Sequence, residues 1–201
     1  MTASIIVLCL LAALLELDTT YAGQWLISRP IIAGPLFGLI TGDLMAGIQV
    51  GVFAELLFVD ISPLGGIIPP SGVMTAAIPM ILYSLGIELY FGFFLGVLAG
   101  ILYAQLDRWL RKTRFKLMVF LEKNAAAHPR AIGRTVAWLL LTVFLMNLIF
   151  VSVCAWICTQ LMYNIVAYIP LKAYAAFKFA YMAVPWIGLA TLIPAFRLKT
   201  R

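Results

Sequence analysis

The chain has 201 residues, of which 64% are hydrophobic and only 11% charged, and its formal net charge is +6. A soluble domain carries about 25% charged residues, so this composition excludes a soluble core. The long, continuous apolar runs argue for membrane helices rather than the alternating strands of a barrel.

The positive charge is uneven. Eight of the fourteen Lys and Arg residues lie between Arg108 and Arg134, and Arg197, Lys199 and Arg201 close the chain. Charge that flanks apolar runs follows the positive-inside rule. Residues 107–134 and the C-terminus are therefore expected in the cytoplasm, and nucleic acid is not expected as a partner. Cys9, Cys154 and Cys158 all sit in apolar runs. Cys154 and Cys158 have no His or acid nearby, so they predict apolar packing and neither a metal site nor a redox motif. No cofactor is expected.

Residues 3–15 form the first apolar run, followed by Glu16 and Asp18. No basic segment precedes the run, so a retained helix is expected rather than a cleaved signal. Ser28-Arg29-Pro30 reads as a helix start with Ser28 as N-cap. Gly34, Gly38 and Gly42 recur every four residues, and Gly47 and Gly51 repeat that spacing, which lets helix backbones approach closely. The Gly42-Asp43 step predicts a break, with 44–59 continuing as a second segment that carries Gln49 and Glu55. Residues 60–72 (DISPLGGIIPPSG) contain three prolines and three glycines. Their apolar composition predicts a re-entrant loop rather than a solvated one.

Val73–Leu85 is a further apolar run with Pro79 as an interruption, and Leu89–Leu106 a clean span with Gly92, Gly96 and Gly100 on one stripe. Residues 107–123 are expected as a separate amphipathic helix on the membrane surface. A loop over 124–133 follows, holding the only histidine, His128, as a solvated residue. Val136–Cys158 is a long span. Residues 159–201 are a last apolar region broken at Pro170 and Pro185, with Lys172 and Lys178 near the outer interface.

The fold expected is an all-α polytopic membrane protein of about six to seven helical segments, with broken helices and a re-entrant loop. It forms one domain over 1–201: motif-bearing helices and loop over 1–106, an amphipathic helix and loop over 107–134, and C-terminal helices over 135–201.

Carboxylates in an apolar segment are costly, about 2.5–3.5 kcal/mol each at mid-bilayer. Asp43, Glu55 and Asp60 lie close together in sequence, among glycines and prolines that free backbone N–H and C=O groups. That mixture suits a sugar, whose hydroxyls need several acceptors at once. Gln49, Ser62, Ser71 and Thr75 add neutral partners. Arg29 is expected to neutralise Asp43 or Asp18. No catalytic motif is present, and Asp43 and Glu55 would be about 18 Å apart on a continuous helix, so acid–base work by that pair is not expected. Ion or proton coupling through the same acids, and a non-transporting scaffold, are the alternatives.

The run from Arg29 to Phe58 resembles the membrane IIC subunit of the mannose/fructose/sorbose-type phosphotransferase (PTS) sugar systems. The resemblance rests on Asp18, then Arg29-Pro30, then Gly38 to Asp43, then Gly47, Gly51 and Glu55, and covers about residues 14–85. It implies a permease subunit of a bacterial inner membrane that translocates a hexose-like sugar, phosphorylated as it enters. It also implies a IID-type membrane partner, cytoplasmic IIA and IIB phosphocarriers, an oligomeric complex, and no phospho-acceptor on this chain. The substrate-binding residues expected are Asp43, Gln49, Glu55, Asp60 and Ser71. Arg29, Pro30, Gly38, Gly42, Gly47 and Gly51 are expected to pack the helices.

Overall fold

The computed structural model describes residues 2–61, 68–125 and 129–197. Among these residues seven α-helices follow in order: α1 (Thr2–Thr20), α2 (Pro30–Thr41), α3 (Leu44–Phe58), α4 (Gly72–Ser84), α5 (Leu89–Ala125), α6 (Pro129–Ile165) and α7 (Leu171–Arg197). A single 3₁₀ turn, Val166–Tyr168, precedes Pro170. There is no strand among the described residues, as the continuous apolar runs require.

Among the described residues, four segments are long and apolar enough to cross a membrane: Ala3–Thr20, Leu89–Lys112, Gly133–Ile165 and Lys172–Ile193. The helices α2, α3 and α4 have 12, 15 and 13 residues. At 1.5 Å per residue they reach only about 18–22 Å, short of a hydrocarbon core of about 30 Å. Of the three, α4 is buried along most of its length, whereas α2 and α3 each keep an exposed face.

The helices α2 and α3 make an antiparallel hairpin. Gly42 ends α2 with φ of 84°, and its N–H bonds the Gly38 carbonyl. Asp43 then caps α3 by accepting from the Ala46 N–H at 2.9 Å. A left-handed glycine followed at once by an Asp N-cap stops one helix and starts the next. The arms meet through glycine: a Cβ on Gly34 would lie 2.6 Å from the Gly51 Cα, and one on Gly47 would lie 2.6 Å from the Gly38 Cα. The predicted stripes are thus the two faces of one seam.

A second pair, α4 and α5, packs in the same way. Pro79 lies inside α4 without interrupting it, against expectation. Its ring rests on the α5 glycine stripe, where a Cβ on Gly96 would come 2.7 Å from the Pro79 Cδ and one on Gly92 would come 3.0 Å from its Cα. The proline removes one backbone donor, and the neighbouring helix closes over the site, as membrane helices allow.

Several boundaries differ from the sequence reading. The residue at the α2 N-cap is Arg29, not Ser28, with Pro30 at the first helical position. Residues 107–123 are not a separate surface helix but the continuation of α5, which runs unbroken from Leu89 to Ala125. No Gly or Pro occurs after Gly100 in that stretch, so a change of charge does not end the helix. The expected loop at 124–133 shrinks accordingly, since α6 already begins at Pro129. His128 lies outside the described residues. Pro170 marks a break and Pro185 does not, since α7 passes through it. Lys172 and Lys178 are exposed near the start of α7. In the expected re-entrant loop, 62–67 lie outside the described residues, while Ile68–Ser71 are non-helical and end against α5, where the Ser71 N–H bonds the Gly100 carbonyl at 3.1 Å.

The helix ends form two rims. One holds Asp43, Tyr83 and the start of α5, with the Tyr83 hydroxyl donating to Asp43 Oδ2 at 2.8 Å. The other holds the C-terminal end of α1, the open end of the α2–α3 hairpin, the start of α4 and the Asp107–Arg111 turn of α5. The site described next lies at this second rim.

Candidate functional site

A cavity of about 470 Å³ opens between α1, α2, α3, α4 and α5 at the second rim. Its size falls within the range of small-molecule sites. Four carboxylates line it, Glu16, Asp18, Glu55 and Asp107, together with the guanidinium groups of Arg29 and Arg111.

Each acid is held differently. Asp18 organises the link between α1 and α2: its Oδ1 accepts from the Trp25 N–H at 2.7 Å and its Oδ2 from the Ser28 N–H at 3.2 Å. Gln24 and Leu26, on either side of Trp25, adopt φ of 54° and 66°, a left-handed conformation that disfavours side chains. The two bonds to Asp18 hold that turn in place, and Gln24 and Leu26 both face the cavity.

Glu55 lies one turn before the end of α3. Its Oε1 is 3.1 Å from Arg29 Nη1, and its Oε2 accepts from the Ile31 N–H at 3.4 Å. The carboxylate therefore sits on the first turn of α2, where the unpaired N–H groups and the helix dipole favour negative charge. Arg29 pairs with Glu55 and not, as expected, with Asp43 or Asp18.

Asp107 accepts from the Tyr21 hydroxyl at 2.8 Å and from Arg111 Nε at 2.7 Å. Arg111 Nη2 also donates to Thr20 Oγ1 at 2.9 Å, which ties α5 to the end of α1.

Glu16 is the most enclosed of the four, 4% exposed. Its Oε2 accepts from Ser71 Oγ at 2.6 Å. Ser71 is itself fixed on three sides. Its hydroxyl oxygen caps α4 by accepting from the Met74 N–H, its carbonyl accepts from Thr75 Oγ1 at 2.8 Å, and its N–H bonds α5. Close approach at this junction depends on glycine. A Cβ on Gly100 would meet the Ser71 carbonyl oxygen at 2.7 Å, and one on Gly72 would meet the Pro30 Cδ at 2.6 Å. Deeper in the bundle, the Tyr103 hydroxyl donates to Asn147 Oδ1 at 2.8 Å, and Asn147 Nδ2 reaches the Ala13 carbonyl at 3.4 Å. This ties the cavity wall to α6.

Of the substrate-binding residues expected from sequence, Glu55 and Ser71 line this cavity. Asp43 does not: it caps α3 at the opposite rim, bonded to Tyr83. Gln49 and Asp60 are exposed and also lie off the cavity, and Ser62 lies outside the described residues. Of the expected packing residues, Gly38 and Gly47 meet across the hairpin seam, Gly51 meets Gly34, and Pro30 meets Gly72. The sequence reading missed Glu16, Asp107 and Arg111 as site residues. A signal for Glu16 existed, because a carboxylate within reach of an apolar span is itself a functional flag. For Asp107 and Arg111 the signal was their i,i+4 spacing.

The arrangement offers hydroxyl acceptors, freed backbone groups and two guanidinium groups around a space large enough for a hexose. Over residues 2–200 the chain matches the family described as the PTS system sorbose-specific IIC component. It is 26% identical over 170 residues to the N-acetylgalactosamine permease IIC component 1 of Escherichia coli, covering 82% of this chain and 62% of that one. A second E. coli protein, named as an N-acetylgalactosamine permease IIC component 2, is 44% identical over 46 residues, 23% of this chain and 35% of its own. The chain thus spans less than two thirds of the length of either relative. A solved membrane-protein chain has the same fold, with a TM-score of 0.66 at 19% identity, covering 98% of this chain and 80% of that one. The helical membrane architecture and the full-length family match agree, and the chain belongs to the sorbose-specific IIC family of the PTS.

Proposed function

We propose that the chain is the sugar-translocating IIC subunit of a mannose/sorbose-type PTS, and that the cavity between α1, α2, α3, α4 and α5 receives the sugar. The observation that carries this reading is the cavity itself, with Glu55, Ser71 and Glu16 as hydroxyl acceptors on its wall. It lies at the rim from which α5 extends into its basic segment, Arg108 to Lys123. Under the positive-inside rule that rim faces the cytoplasm of a bacterial cell. A sugar held there stands where a soluble phosphocarrier can reach it. Phosphoryl transfer then belongs to IIA and IIB partners and membrane passage to a complex with a IID-type subunit, so this chain needs no phospho-acceptor. Asp43 serves at the hairpin tip, Gln49 and Asp60 have no place in the cavity, and the glycine seam packs the helices.

The test is uptake in cells that supply the partner subunits, with N-acetylgalactosamine and sorbose as the first probes, chosen from the names of the relatives and the family. Uptake that depends on phosphoenolpyruvate and falls with Glu55→Gln supports the reading. Uptake driven by membrane potential without phosphoenolpyruvate overturns it.

A further inference from the structure

Three of the four carboxylates in the cavity are already engaged. Asp18 is taken up by two backbone N–H groups, Glu55 by Arg29 and a helix N-terminus, and Asp107 by Arg111 and Tyr21. Glu16 differs. It is buried, and no Lys or Arg among the described residues forms an ion pair with it. The Ser71 hydroxyl donates to its Oε2. Glu16 lines the cavity, so its carboxylate borders the space that a sugar would fill.

We propose that Glu16 accepts the proton of the sugar hydroxyl that receives the phosphoryl group. The inference rests on the reading above, that a sugar occupies this cavity and is phosphorylated there. A hydroxyl becomes a better nucleophile as its proton moves to a nearby base, and a base held by a third group is the arrangement that favours such transfer. Ser71 is that third group. Its hydroxyl fixes Oε2, and its own position is set by α4 and α5, leaving Oε1 for the substrate.

The step balances with one co-reactant, a phosphorylated side chain on a soluble partner protein. The hydroxyl oxygen forms the new bond to phosphorus. The bond between phosphorus and the donor side chain breaks, its electron pair leaving with that side chain. The hydroxyl proton passes to Glu16 and then to water at the open end of the cavity. Glu16 carries no phosphoryl group at any point. The charged groups that face it, Asp107 and Arg111 on α5, Arg29 and Glu55 on the hairpin and Asp18 on its own helix, are occupied with one another or with backbone.

The experiment uses the full complex in vesicles, with N-acetylgalactosamine and sorbose as probes, and measures equilibrium binding and phosphorylation separately. The variant E16Q keeps an oxygen for the Ser71 bond and loses the proton acceptor. We expect its turnover to fall by about 10²–10⁴-fold, the usual contribution of a general base, well beyond any loss of sugar affinity. E16D, which keeps the acid at a shorter reach, should fall between E16Q and the parent. Turnover of E16Q equal to that of the parent overturns the assignment, as does a loss of affinity in step with turnover, which would make Glu16 a ligand only. Where E16Q does not assemble, E16D decides: turnover lowered well beyond affinity supports the role, and unchanged turnover or an equal loss of both refutes it. Failure of the parent complex to bind either sugar overturns the underlying reading instead.

Discussion

Arg29 and Glu55 meet at 3.1 Å across the open end of the α2–α3 hairpin, joining the residue that precedes the first arm to the last turn of the second. The Arg29 side chain is 59% exposed and that of Glu55 22%. An exposed pair contributes only about 0–1 kcal/mol to stability. Its value lies in position, because Glu55 also receives an N–H from α2 and faces the cavity. Glu55→Gln should therefore lower sugar affinity strongly and the melting temperature little. Isothermal titration and thermal unfolding of the same detergent sample separate the two effects.

Asp43 allows a test by contrast. Its carboxylate caps α3 and receives the Tyr83 hydroxyl. Asparagine also caps helices well, whereas alanine does not. Asp43→Asn should leave melting temperature and uptake near those of the parent, and Asp43→Ala should lower the melting temperature. Loss of uptake in Asp43→Asn, with the fold intact, would return Asp43 to the list of sugar ligands.

The hairpin seam leaves no room for side chains. Gly34→Ala places a methyl group against Gly47 and 2.6 Å from the Gly51 Cα, in backbone that cannot rotate away. Forced overpacking costs about 1–3 kcal/mol. The expected outcome is a clear fall in melting temperature, or loss of the monodisperse peak in size-exclusion chromatography. Gly133→Ala, whose Cβ meets nothing within 4 Å, is the matched control.

Asn147 is fully buried and links Tyr103 to the Ala13 carbonyl. Polar bonds between membrane helices contribute about 0.6–2 kcal/mol. Asn147→Leu removes both bonds at similar volume. It should lower stability by about that amount, read by chemical unfolding in mixed micelles, and loosen the cavity wall on which Tyr103 sits.

Much of the fold was legible because its punctuation is local. Gly42 followed by Asp43 is a stop and a start, and the glycine spacings of four told which faces would meet. Pro79 and Pro185 misled for the opposite reason. A proline inside a helix is tolerated when a neighbour closes over it, and Gly92 and Gly96 supply that cover for Pro79 from another helix. Residues 107–123 misled because a change of charge was read as a change of structure. The candidate site was half legible. Glu55 and Ser71 belong to the stretch that stood out. Glu16 comes from α1 and Asp107 from α5, 91 positions apart in sequence, and only the packing of those helices brings them to one cavity. Asp43 and Glu55 were both expected to bind the sugar, but they lie at the two ends of α3 and so at opposite rims.

The glycine seams have a mechanical side. Inside the hairpin the two arms touch backbone to backbone, Gly34 against Gly47 and Gly51 and Gly38 against Gly47. Outward, the hairpin interlocks through side chains: the Pro30 ring sits against Gly72 of α4, Leu56 against Gly188 of α7, and the Phe53 ring against Phe93 and Tyr181. Close-packed contacts of both kinds transmit displacement rather than absorb it. The hairpin therefore acts as a strut, and Glu55 at one end and Asp43 at the other keep a fixed separation.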